Sequence, residues 1–271
     1  MGIKTPFISE IAPDTYAINE FGLSAMYLVV GKEKALLIDT ACGLTDLKSL
    51  VRSLTNLPVE VVLTHGHVDH VGGMSQFEEV WIHPADIEMA MSVTEEDLKD
   101  YAEGLGEGGA YEVYDYSPAM VNTIDHYPRF LPLADGQEFD LGGRKITAIF
   151  ISGHTPGGVC FLDRGKRIIF SGDCFNQNTL AVNCTVSHLL QELRKVKALE
   201  PEFDQNYNGH VGFGGMPSCL SQPKSVTDDL IHICECILDG KDVYRDDVVM
   251  GKKAAVMEYG KVRLSYDRSM L

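Results

Sequence analysis

The sequence predicts an α/β fold built as two similar halves, and three observations predict it. Short apolar runs of strand length alternate with segments whose apolar residues recur at helical spacing. The alternation occurs twice, before about residue 90 and again from about residue 145, with a stretch of different character between. The 271 residues are 45% hydrophobic and 23% charged, the profile of a globular protein long enough to bury a sizeable core.

In the first half, residues 16–18 and 25–30 read as strands, with a turn at Gly31-Lys32-Glu33, and 35–38 is a short apolar strand ending at Asp39. Thr45 is placed to cap a helix carrying Leu47, Leu50, Val51 and Leu54 on one face, and Pro58 stops it. Residues 59–63 form a buried strand followed at once by a histidine-rich loop; 80–82 is a strand, and Pro84 starts a helix. In the second half, 145–151 is a strand ending in Gly153-His154, and 159–162 pairs with 167–170 across an Asp-Arg-Gly turn. A helix follows with Val186, Leu189, Leu190, Leu193 and Val196 on one face, then Asn208-Gly209-His210 in a glycine-rich loop. A last helix runs from near Ser225 to Asp239, closed by Gly240, and 254–266 reads as a hairpin turning at Tyr259-Gly260. The chain is thus expected to be one domain over 1–271, with its C-terminal helix and hairpin at about 222–268.

Between the halves, about 92–133, the pattern changes. From Glu95 to Asp115 the chain holds eight acids, one lysine, four glycines and the tyrosines Tyr101, Tyr111 and Tyr114. This reads as a lid over a site, with a solvated insertion as the alternative.

The formal net charge is −16 and no Lys/Arg run could track a phosphate backbone, which excludes nucleic acid as a partner. No segment approaches the ~18 apolar residues of a membrane helix, and residues 1–13 lack an apolar signal core. Seven cysteines without framework spacing read as reduced thiols in a cytoplasmic protein. The sequence is compatible with a homo-oligomer.

The sharpest feature is Thr64-His65-Gly66-His67-Val68-Asp69-His70. Three histidines and one aspartate fall within six positions, directly after an apolar strand and before Gly72-Gly73. Imidazole and carboxylate are the ligands of zinc and similar divalent ions, and no ordinary surface loop needs four of them there.

This loop resembles the His-x-His-x-Asp-His signature of the metallo-β-lactamase superfamily. Further motifs follow in the family's order: Gly153-His154-Thr155-Pro156-Gly157, Ser171-Gly172-Asp173, and Asn208-Gly209-His210. Asp39-Thr40 resembles the family's early Asp-Thr-Gly turn, with Ala41 in place of the glycine. The resemblance covers about 14–215. It implies a four-layer αββα sandwich with the lid insertion between its halves, and a site of two divalent metal ions, zinc first, with iron or manganese as alternatives. One ion would be held by His65, His67 and His154, the other by Asp69, His70 and His210, with Asp173 bridging and Asp39 supporting the site from behind the ligands. Two such ions less two carboxylates leave positive charge for an oxyanion, and bound water acidified towards ~7 supplies hydroxide at neutral pH. Asp69 is then the catalytic proton acceptor and donor. The implied function is hydrolysis of a small ester-like substrate: an ester, thioester, lactone or phosphodiester.

Departures narrow the field. The best-known zinc β-lactamases carry cysteine where Asp173 stands; Cys174 lies one position late. Acyl-homoserine lactonases place a tyrosine shortly after the bridging aspartate, where Cys174, Phe175 and Asn176 stand here. Tyr111 or Tyr114 from the lid is the expected substitute, and His126 and Asn176 complete the expected substrate contacts. Glyoxalase II needs basic residues for glutathione, and 173–183 contains none. The nuclease branches carry an extra domain, for which 271 residues leave no room. Two other classes stay open: a mononuclear-iron oxidoreductase like the persulfide dioxygenases, and a non-catalytic binding protein. The first uses fewer ligands than are present, and the second characteristically loses them. His83, His188 and His232 read as structural, Trp81 as core, and Cys174 as an inert packed thiol.

Overall fold

The computed structural model describes residues 2–210, 219–249 and 251–271. The stretch after His210, read above as glycine-rich loop, continues into residues 211–218, outside the described residues.

The first half comprises β1 (Phe7–Ala12), β2 (Thr15–Glu20), β3 (Ser24–Val30), β4 (Ala35–Ile38), α1 (Leu47–Leu54), β5 (Val59–Val62), α2 (Val68–Val71), β6 (Glu79–Ile82), α3 (Ile87–Ser92), α4 (Glu95–Leu105), α5 (Tyr111–Val113) and β7 (Arg129–Pro132). Its seven strands form one sheet in sequential order, antiparallel from β1 to β4 and parallel from β4 to β7. The second half comprises β8 (Glu138–Asp140), β9 (Lys145–Phe150), β10 (Val159–Asp163), β11 (Ile168–Gly172), β12 (Asn178–Ala181), α6 (Val186–Leu199), β13 (Gln205–Asn208), α7 (Val226–Leu238), β14 (Arg245–Val249), β15 (Lys252–Tyr259) and β16 (Val262–Tyr266). Here β13-β11-β10-β9-β8 form a five-stranded sheet, and β12-β16-β15-β14 a four-stranded one.

Side-chain alternation builds four layers from these sheets. In β3, Met26 and Leu28 face a cluster shared with Leu47 and Val51 of α1 and Leu98 and Ala102 of α4. Ala25, Tyr27 and Val29 face the opposite way, onto Phe139, Ile146, Phe161 and Phe170 of the second sheet. In β10, Val159 and Phe161 join that central layer, while Cys160 and Leu162 face Leu189 and Leu193 of α6 and Leu230 and Ile233 of α7. Both faces of these strands are buried, which is why they read as continuous apolar runs rather than as alternation. The result is helices, sheet, sheet, helices: the αββα sandwich.

Several local expectations are corrected. Asp46 caps α1, its side chain accepting from Ser49 N at 3.0 Å, because the Thr45 backbone is bound elsewhere, its N–H by Glu20 and its carbonyl by Gln76 and Asn122. The segment after Pro84 begins with a single 3-10 turn before α3. Arg129–Pro132, inside the stretch read as insertion, is the parallel edge strand of the first sheet. The C-terminal hairpin stands where expected, but β12 adds to it in parallel to make a sheet of its own. The insertion is packed rather than loose: Leu98, Ala102, Ala110, Tyr114 and Tyr116 are buried in the first cluster. Among the described residues no helix is long and apolar enough to cross a membrane.

Candidate metal centre

The ligand candidates follow the carboxyl ends of β5, β9, β11 and β13, with Asp39 after β4, so parallel registers between strands bring them to one edge of the sandwich. Three groups of side-chain atoms converge there: His65, His67 and His154; His65, His70 and Asp173; and Asp69, His70 and His210.

In the first group, His65 Nε2 lies 3.1 Å from His67 Nδ1, which lies 2.8 Å from His154 Nε2. In the group of Asp69, His70 and His210, His210 Nε2 is 3.4 Å from Asp69 Oδ2, and His70 Nε2 is 3.6 Å from the same oxygen. Asp173 Oδ2 reaches both sets, at 3.7 Å from His154 Nε2, 3.0 Å from His210 Nε2 and 3.8 Å from His70 Nε2. All seven sequence candidates are therefore brought together.

The rear nitrogens of these rings are held by the protein. His154 Nδ1 faces the Leu180 carbonyl at 2.9 Å, His210 Nδ1 the Leu23 carbonyl at 3.3 Å, and His70 Nδ1 the Asp39 carboxylate at 2.9 Å. Oxygens of this kind only accept, so each Nδ1 carries a proton and each Nε2 is the nitrogen turned to the centre. Asp39 also accepts from Thr64 N at 2.7 Å and Thr64 Oγ1 at 2.8 Å, fixing the start of the histidine loop. Its φ of 64° and that of Ala41, 51°, are left-handed, which explains why this turn favours glycine where Ala41 stands. Gly209 admits no side chain: a Cβ there would lie 2.3 Å from His70 Cε1.

This donor set fits divalent cations. Ring nitrogens and carboxylate oxygens face one another across less than 4 Å, an arrangement that a cation between them stabilises once the rings are deprotonated. His70 Nε2 and Asp173 Oδ1 are buried and without a hydrogen-bond partner, and both belong to the convergent set. The electrostatics agree. Burial, reinforced by neighbouring rings, lowers His65 far below the usual histidine range and His67 to about 4, so both are neutral. Burial alone would lower His70 and His210 too. The carboxylates of Asp69 and Asp39 overcome it at His70, holding it at about 10, and Asp173 does so at His210, at about 9. Asp69 and Asp173 are held below the usual carboxylate range, since His70 and His210 outweigh the cost of burial.

Sequence reasoning missed one site residue. Tyr101 of α4 donates its hydroxyl to Asp69 Oδ2 at 2.7 Å. The four substrate candidates hydrogen-bond elsewhere. Tyr111 donates to Glu103 and packs against Tyr116 with the rings tilted by 40°. Tyr114 is buried against Phe21 and accepts from Asn19 Nδ2, a core position rather than a site position. Exposed His126 pairs with its neighbour Asp125, and Asn176, 4% exposed, shapes a turn through Thr179 and Asn178. Helical phase places Tyr101 three residues from buried Leu98 and one from buried Ala102, on the helix edge nearest the core, but does not by itself tell it apart from Tyr111 or Tyr114. Of the residues read as structural or core, Trp81 is only partly buried. His83 accepts from Ala85 N, His188 bonds Ser152, and Trp81 packs on Phe139. Cys174 is buried, its thiol pushed well up by its bond to Cys160 and by burial.

Relatives among known proteins agree with this geometry. The human acyl-coenzyme A thioesterase MBLAC2 is 29% identical over 180 residues, 57% of this chain and 59% of that protein. The atrochrysone carboxyl ACP thioesterase of Aspergillus fumigatus is 28% identical over 194 residues, 70% of this chain and 50% of that protein. The match thus spans 59% of the first relative's length and 50% of the second's. The metallo-beta-lactamase family protein TTHA1429 of Thermus thermophilus superposes with a TM-score of 0.60 at 20% identity, covering 85% of this chain and 82% of that one, which speaks for the fold. The model of the metallo-beta-lactamase superfamily matches residues 19–203, from β2 past the end of α6, and with its motifs and layers in place the chain belongs to that superfamily.

Proposed function

We propose that this protein is a hydrolase dependent on two divalent cations, zinc foremost, and that it cleaves a small acyl thioester. Asp173 carries the dinuclear reading: one carboxylate oxygen within 3.0–3.8 Å of nitrogens from both ligand sets is what a bridging ligand requires. His65, His67 and His154 would hold one cation; Asp69, His70 and His210 the other. When bound, such cations supply Lewis acidity to an acyl oxygen and acidify water towards ~7.

The chain's own residues do the rest. Asp69 Oδ2, oriented by the Tyr101 hydroxyl, is the group placed to take a proton from the attacking water and return it to the leaving sulfur. Hydrolysis then yields a carboxylic acid and a free thiol, with no redox change. The mononuclear-iron and non-catalytic alternatives each leave part of this ligand set without a role.

Two relatives named as thioesterases favour the thioester among the ester-like substrates. Charge argues about the carrier. Helix α4, which supplies Tyr101, also carries Glu95, Glu96, Asp97, Asp100 and Glu103, and its field reaches ~10 Å at ordinary salt. A weakly charged thiol carrier therefore suits this site better than a polyanion. The test is metal-loaded protein assayed on a panel of acyl thioesters of coenzyme A and of uncharged N-acetylcysteamine, with esters, lactones, phosphodiesters and β-lactams alongside. The reading expects two ions per chain and highest kcat/KM on the uncharged thioester. Full activity with one ion, or no thioester turnover, would overturn it.

A further inference from the structure

Asp86 lies at the end of the 3-10 turn between β6 and α3, is fully buried, and is not a metal-ligand candidate. Its two carboxylate oxygens accept from two backbone amides that belong to different halves of the molecule. Oδ2 accepts from Gly66 N at 3.0 Å, between His65 and His67; Oδ1 accepts from Gly157 N at 2.7 Å, three residues past His154. Both partners are glycine for a steric reason. A Cβ on Gly66 would lie 2.7 Å from the Asp86 carbonyl oxygen, and one on Gly157 would lie 2.6 Å from Asp86 Cγ. The carboxylate is thus clamped between the two loops that carry His65, His67 and His154, and no other ligand loop touches it in these bonds.

Asp39, by contrast, serves both sets: it holds His70 directly, and it binds the backbone and hydroxyl of Thr64, whose Oγ1 lies 3.0 Å from His65 Nδ1. We infer that Asp86 is a positioning residue dedicated to the His65/His67/His154 cation site: its carboxylate staples the two halves of the sandwich so that His154 meets His65 and His67. A charge-assisted bond to each amide gives the staple its direction, and burial removes water as a competitor for either bond. The inference rests on the dinuclear reading above.

The test is Co(II) binding to metal-stripped full-length protein, followed by visible absorption against a competing chelator. Asp86→Asn keeps the side-chain shape but leaves a single oxygen acceptor for two amides. Placed in a His210→Ala background, where the His65/His67/His154 set is the intact one, it should weaken Co(II) binding by ~10–100-fold; in a His67→Ala background, where the other set is intact, by less than ~2-fold. Equal weakening in both backgrounds, or none in either, overturns the inference. Gly157→Ala is the second variant: it displaces the carboxylate without removing it and should show the same selectivity. Should both variants lose their far-UV circular dichroism, Asp86 is a determinant of the fold and the inference also fails. Wild-type protein that binds a single Co(II) would instead sink the dinuclear reading, and the two failures are told apart by that control.

Discussion

Tyr101 Oη lies 2.7 Å from Asp69 Oδ2, and this bond joins the acidic helix α4 to the ligand segment at the start of α2. Burial, then the charge of Asp69, pushes the phenol well above its usual range, so it donates at every working pH. Hydrogen bonds to charged groups contribute about 1.5–3 kcal/mol, which is ~10-fold or more in rate if the bond is felt in the transition state. Tyr101→Phe is expected to keep the metal content of the wild type and lose at least ~10-fold in kcat. Elemental analysis beside steady-state kinetics checks it; unchanged kcat would reduce the bond to a packing contact.

Asp173 and Cys174 are neighbours with opposite expected roles. Asp173→Ala removes the carboxylate that reaches both ligand sets, and should cost at least one ion and at least ~10²-fold in kcat. Cys174→Ala removes a buried, protonated thiol and should leave metal content and most turnover in place. Activity lost in the cysteine variant with metal retained would show that the thiol takes part in the chemistry.

Metal uptake should be coupled to protons. His70 and His210, held at about 10 and about 9, must lose their protons to ligate. Apparent affinity is therefore expected to rise with pH up to about 9 to 10, with protons released on binding, measurable as acidification of a weakly buffered solution. A pH-independent affinity would contradict the charge pattern of the site.

The metal-free protein has its own pH profile. His67, at about 4 when folded, takes a proton near ~6.5 when unfolded, so the unfolded state binds more protons between those values and stability rises with pH across them. His70 and His210 are raised, so their contribution is complete below ~6.5 and is lost as pH climbs through about 9 and 10. Urea midpoints of the metal-free protein should peak near pH ~6.5. A midpoint climbing steadily to pH ~10 would go against this.

The stretch between the halves is tied into the core at Leu98, which is fully buried. Leu98→Ala should cost about 2–5 kcal/mol, whereas Tyr111→Phe, at a 37% exposed residue, should change stability by less than ~0.5 kcal/mol. Thermal unfolding of the two variants decides it. A near-neutral Leu98→Ala would mean that α4 is a detachable lid.

How much is legible in the sequence depends on distance along the chain. His65, His67, Asp69 and His70 lie within six positions, so their chemistry is local and any fold that ends a strand at Leu63 brings them together. Motif order points to His154, Asp173 and His210, and unbroken apolar runs point to the doubly buried strands. Strands β1, β7, β8 and β12 leave no comparable mark. All four sit at sheet edges, and β7, β8 and β12 are only three or four residues long, so pairing partners rather than their own composition define them.

The same reasoning separates what the sequence determined from what only the tertiary structure decided. The cluster of candidate ligands from His65 to His70 and the faces of α6 and α7 follow from residue type and period, which are properties of short segments; the layer order and the candidates His154, Asp173 and His210 rest on the family resemblance of longer motifs. Which tyrosine meets Asp69 follows from neither. Tyr101, Tyr111 and Tyr114 share one acidic stretch and one chemistry, yet the docking of α4 on the first sheet turns Tyr101 to the site and buries Tyr114 beside Phe21. Asp86, likewise, is one carboxylate among many until folding brings Gly66 and Gly157, 91 residues apart in sequence, to its two oxygens. Contacts between distant segments are set by how packed layers come to rest against each other, and no local pattern encodes that.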